Sequence, residues 1–116
     1  MIRTISAIQL QNEYETNEIN ADDKYTDKTL IVTGIVKSVA KTNNGSETYL
    51  IISDDYHPYS QVQCFLSQKG IKQAASLDIN REVSVKGYCQ GKKIVTIDGK
   101  DQRLNYPVLA HCIIVE

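Results

Sequence analysis

Residues 29–40, TLIVTGIVKSVA, constrain the fold more than any other stretch of the chain. Most of these side chains branch at Cβ, which crowds a helix and suits a pleated strand. The run is long for a strand, and Gly34 sits in its middle. A lone glycine in a strand pattern marks a bulge or a sharp bend. A long strand that bends can serve both sides of a small closed barrel.

The remaining chain supplies partners for that strand. Asn43-Asn44-Gly45 is a hairpin turn signal. It leads into a strand over 47–53, ETYLIIS. A polar aromatic loop, Asp54 to Tyr59, precedes a third strand over 60–66, SQVQCFL. Residues 68–77 read as a short helix. Residues 81–90, REVSVKGYCQ, alternate as strand four, and Gly91-Lys92-Lys93 reads as a turn. An extra hairpin is expected over 94–106, turning at Asp98-Gly99 and stopped by Pro107. Residues 108–115, VLAHCIIV, make the last strand. Ahead of all this, residues 6–27 read as two short helices or one kinked helix, with Ser6 as a cap and Asn17 as a break or a second cap. The 116 residues therefore divide into a helical arm over 1–28 and a barrel over 29–116, within one structural domain. A helix between strands three and four of a five-stranded antiparallel set is the arrangement of the OB-fold barrel. The fold class expected is all-β with a helical N-terminal arm. An SH3-like barrel is the structural rival, and it does not usually carry that helix.

Specific stretches resemble a known family. Asn17, Ala21, Asp22, Lys24 and Tyr25, followed by Val32-Thr33-Gly34-Ile35-Val36, are similar to the helix and first strand of the tRNA-anticodon-like (tRNA_anti-like) OB family of small bacterial and phage proteins. Val62-Gln63-Cys64-Phe65 resembles its third strand. Val85-Lys86-Gly87-Tyr88-Cys89-Gln90-Gly91 resembles its fourth, and Leu109 to Ile114 its closing strand. The resemblance spans roughly residues 6–115 and implies an OB barrel, with a nucleic-acid role inferred from fold. Two features depart from it. Many members begin with an export or lipoprotein signal, absent here, and the stretch Lys93 to Pro107 is longer than usual.

Composition excludes several function classes. Thirteen Lys and Arg stand against fourteen Asp and Glu, a net charge of -1. Strong general nucleic-acid binding needs a basic surplus, so any such role rests on local lysines. No run of about 18 apolar residues occurs, so no membrane span is expected. A start at Met1 implies a cytoplasmic protein; a trimmed signal segment would imply an exported, periplasmic one. Cys64, Cys89 and Cys112 are widely spaced without a CxxC, which disfavours zinc. Neither GxSxG, a P-loop nor HExxH is present, and His57 and His111 have no partner constellation. No enzyme activity, catalytic residue, cofactor or metal is expected.

Alternation assigns faces. Leu50, Ile52, Val62, Cys64, Leu66, Val83, Val85, Gly87 and Cys89 are expected inward, and with them all three cysteines, as core thiols or as one disulfide plus a free thiol. Tyr49, Ile51, Gln61, Gln63 and Phe65 then face outward, on the surface that OB domains use for oligonucleotides. Tyr49 and Phe65 can stack bases, and Gln63 can reach base edges. Tyr56 and Tyr59 on the loop add exposed rings. Lys41, Lys92 and Lys93 can line a phosphate track, since the loops after strands one and four flank one groove. The plain alternatives are solvated lysines, loop rings that plug the barrel end, and an outer face covered by the N-terminal helices. The expected function is a non-enzymatic module for single-stranded DNA or RNA. A protein-interaction module or inhibitor, using the same groove, is the second reading. A nucleotide or small-ligand binder is the third. The oligomeric state is not legible.

Overall fold

The computed structural model describes residues 2–42, 44–54, 61–96 and 103–115, without the side chains of 94–96 and 103–105. Its elements run β1 (Arg3–Ser6), α1 (Ala7–Thr16), α2 (Glu18–Tyr25), β2 (Thr29–Lys41), β3 (Thr48–Ser53), β4 (Val62–Leu66), α3 (Gln68–Ala74), β5 (Glu82–Thr96) and β6 (Arg103–Ile114). The strands lie in the order β1-β2-β3-β4-β6-β5, and a β2–β5 pairing closes the ring. Five strands, β2 to β6, thus form an OB barrel, and β1 rides on its first strand.

The long strand does serve both sides. Thr29 to Ile35 pair with β5, and Ile35 to Lys41 pair with β3. The break in register falls between Val36 and Ser38, two residues past the glycine expected to bend the strand. Gly34 answers a different need. A Cβ there would stand 3.1 Å from the Ser53 carbonyl oxygen and 3.3 Å from the Ala7 and Ile52 Cβ atoms. The glycine lets α1 and β3 converge on β2.

Capping sets the helices. Ser6 caps α1 by accepting from the Gln9 amide at 3.2 Å. Asn17 ends α1 and caps α2, accepting from the Asn20 amide at 3.1 Å. The side chains of Leu10, Tyr14, Ala21 and Tyr25 are buried in one cluster with Leu30, Val32, Leu50, Val85 and Cys89. The arm therefore completes the barrel core. β1 was not foreseen. It pairs in parallel with Leu30–Thr33 and so covers the edge of β2 that β3 leaves open. α3 is held to β6 by a two-point clamp: the Gln73 amide donates to the Ile114 carbonyl at 2.8 Å, and its oxygen accepts from the Ile114 amide at 2.9 Å.

Two expectations fail in the β5–β6 region. Gly91-Lys92-Lys93 is not a turn but part of β5, with a register shift between Cys89 and Lys92 and Gly91 at φ 82°. A bulge and a turn draw on the same residue chemistry, so sequence could not separate them. Pro107 does not stop a strand either. It pairs with Lys92 inside β6, and β6 begins pairing with β4 only at Val108. Among the described residues one edge of the strand is open at that point, which is where a proline is tolerated. The extra hairpin is thus the prolongation of two barrel strands, through the pair Thr96↔Arg103. Its expected turn at Asp98-Gly99 lies outside the described residues.

Candidate nucleic-acid interface

Register decides which side chains share the outer face. Directly paired residues in antiparallel strands point the same way. Tyr49 pairs with both Ala40 and Phe65, and Ile51 with Ser38 and Gln63. Gln63 lies beside Val108 on β6. Leu50, Ile52, Val62 and Cys64, one residue out of step, are fully buried inside the barrel. The expected division of faces is what the strands adopt.

Tyr49 and Phe65 form an edge-to-face pair, with centroids 5.9 Å apart and planes at 65°. Both rings are half-buried. This geometry suits the ring quadrupoles and leaves ring surface for a third π-system. Around them the face is drier than expected. Ile51, Tyr106, Val108 and Ala110 are buried yet stand outside the main core cluster. Gln63 is only 4% exposed. Its amide is therefore not presented to solvent, and it is a poor candidate for reading base edges. The buried side chains of the helices, Leu10, Tyr14, Ala21 and Tyr25, join the inner cluster instead of this face.

The lysines separate. Lys93 pairs with Tyr106, whose parity along β6 is that of Val108, so it stands exposed above the same face. Lys92 points the other way. Its ammonium meets the Glu15 carboxylate of α1 at 2.7 Å, with its side chain 10% exposed. Sequence gave no sign of this pair, because the Gly91 bulge reverses the alternation just ahead of it. Lys41 is exposed at the end of β2, opposite Thr48. Its parity is inward, which places it at the barrel mouth rather than beside Tyr49. Tyr56 and Tyr59, with His57, lie outside the described residues. His111 is exposed on β6, at φ 54°.

The cysteines are free and buried. A hydrogen bond with Cys112 and burial hold the Cys64 thiol well above its ordinary range. Burial also pushes Cys89 up, and its sulfur lies 3.4 Å from the Tyr14 hydroxyl. Such thiols are poor nucleophiles and act as core packing. Among the described residues, no group of three or more His, Cys, Asp or Glu is placed to hold a metal ion. Among them, no helix is long and apolar enough to cross a membrane.

The tRNA_anti-like family model matches residues 1–101. No curated protein sequence matches the chain. Among solved structures, it is similar to a "putative nucleic acid-binding lipoprotein" from Klebsiella pneumoniae subsp. pneumoniae MGH 78578. The TM-score is 0.68 at 14% identity, covering 99% of this chain and 92% of the other. A "putative aspartyl-tRNA synthetase" from Leishmania major Friedlin gives 0.58 at 15% identity, over 97% of this chain and 20% of that one. An OBody bound to hen egg-white lysozyme gives 0.52 at 15% identity, over 80% and 86%. At these identities the likeness is one of fold.

Proposed function

The chain belongs to the tRNA_anti-like family, and from that premise we propose that it is a non-enzymatic OB-fold module for single-stranded nucleic acid. The observation that carries this reading is the Tyr49–Phe65 pair, half-exposed on the outer face of β3 and β4. Base stacking on such rings is worth about 1–3 kcal/mol per base and tolerates any sequence. Lys93, exposed above the same face, supplies one phosphate contact and Lys41 a second from the barrel mouth, while Lys92 does not, because Glu15 already holds it. Two neighbours whose names include nucleic acid-binding or tRNA synthetase activity support the reading.

The test is a fluorescence-anisotropy titration of labelled single-stranded DNA and RNA at low salt. With two phosphates neutralised, log K falls against log salt with a slope of about -1.4. Absence of binding at about 50 μM, or affinity indifferent to salt, sinks the proposal.

A protein partner is the second reading. It is supported by the lysozyme-bound OBody, which presents this architecture to a protein, and by the exposed acidic residues Glu15, Glu18, Asp22 and Asp23 of the arm. A stoichiometric partner retained after nuclease treatment would favour it. The third reading, a nucleotide in the barrel mouth, predicts melting-temperature shifts across a nucleotide panel.

A further inference from the structure

β6 carries a bulge where it passes Phe65. Cys64 pairs with Leu109 and Leu66 with Cys112, so the single residue Phe65 on β4 stands opposite two, Ala110 and His111. On the other edge Tyr88 pairs with Ala110 and Lys86 with Ile113, so Gly87 stands opposite His111 and Cys112. His111, common to both mismatches, is the inserted residue. It is exposed, at φ 54°. Its two neighbours are buried, Ala110 on the outer face and Cys112 in the core.

The bulge is anchored through Cys112. Its thiol is packed in the core, and its carbonyl accepts from the Ser67 amide at 3.0 Å and from the Ser67 hydroxyl at 3.1 Å. A φ of 54° lies in the left-handed region, where glycine is at ease and a larger side chain costs stability. Glycine would therefore serve the backbone at 111 better than histidine does. A side chain held in such a conformation by its surroundings points to function, and bulges commonly re-aim a side chain beside a binding site.

Beside this bulge stands the aromatic pair. Adjacent strands are about 4.8 Å apart, and Phe65 has Tyr49 across one edge of β4 and the bulge across the other. An imidazole is a flat π-system, and histidine stacks on nucleobases as phenylalanine and tyrosine do. We propose that His111 is a third stacking residue of this face. It extends the face from β3 and β4 onto β6, so that a bound strand lays one more base beyond Phe65. The inference rests on the single-strand reading and adds a residue to that site.

Anisotropy titrations of labelled single-stranded DNA and RNA with the wild type, His111→Gly and His111→Asn test this. Glycine and asparagine both tolerate a positive φ, and asparagine keeps a hydrogen-bonding side chain without the ring. Thermal melts should place His111→Gly within about 4 °C of the wild-type midpoint. Both variants should nevertheless bind about fivefold more weakly, the loss of one stacked base. The chain has two histidines, so the His111 ring protons are readily followed by NMR. Saturating oligonucleotide should move them upfield, as stacking against a base requires. Wild-type affinity in either variant overturns the proposal, and so do ring protons that oligonucleotide leaves in place. If the wild type binds and both variants match it, the single-strand reading stands and only the part of His111 falls. If the wild type binds no oligonucleotide, that reading fails, and this inference with it.

Discussion

Glu13 shows how one side chain joins the two helices of the arm. The Tyr25 hydroxyl donates to one of its oxygens at 2.5 Å, and the Lys24 ammonium to the other at 2.9 Å. Burial alone would raise its carboxyl, but the hydrogen bonds from Tyr25 and Lys24 outweigh that and hold it below the ordinary value. A folded-state pKa below the unfolded one stabilises above the unfolded value. That contribution is lost as pH falls through the lowered folded value. Glu13→Gln should therefore cost about 1 kcal/mol near pH 7, and urea melts of the two proteins should converge in strong acid. Gly70 is a residue of the opposite kind, conspicuous for what it lacks. A Cβ there would collide with the Cys112 carbonyl oxygen, a backbone atom that cannot swing away. Gly70→Ala should lower stability by about 3 kcal/mol, read as a drop in denaturant midpoint with an unchanged m-value.

At the scale of elements, the hairpin of β5 and β6 separates the two neighbouring lysines. Lys93→Ala should weaken oligonucleotide binding and flatten the salt slope by about 0.7. Lys92→Ala should leave binding intact and cost less than about 1 kcal/mol of stability, since Glu15 stays half-exposed. Equal effects of both substitutions on affinity would contradict the assignment of faces. Legibility followed the same physics. Alternation over 82–89 is strict, because one face of that strand is buried, and it revealed the inward Cys89; over 48–53 and 62–66 it is blurred by Ile51 and Gln63, which are buried on the outer face. Ser6 and Asn17 were readable as caps because their chemistry is local. β1 was not, since Arg3 to Ser6 is too short to show a period and is a strand only because β2 offers an edge. Gly91 and Pro107 misled because a bulge and an open edge use the residues of turns. The burial of Gln63 was equally hidden: it depends on Val108, brought alongside by β6 from far along the chain.

Across the whole molecule, a net charge of -1 leaves no general attraction for phosphate. Binding then depends on where a few groups stand, and the barrel concentrates them. The helical arm fills the core, and the outer face of β3 and β4 keeps its aromatic pair. Such a protein should bind short oligonucleotides with modest affinity and little sequence preference, stacking supplying most of the energy. Anisotropy titrations comparing the wild type with the Tyr49→Ala/Phe65→Ala double variant, confirmed folded by circular dichroism, test this most directly. The account predicts that the double variant loses about 2 kcal/mol or more, at least thirtyfold in Kd, on single-stranded DNA and RNA alike. A double variant that binds as tightly as the wild type would contradict it.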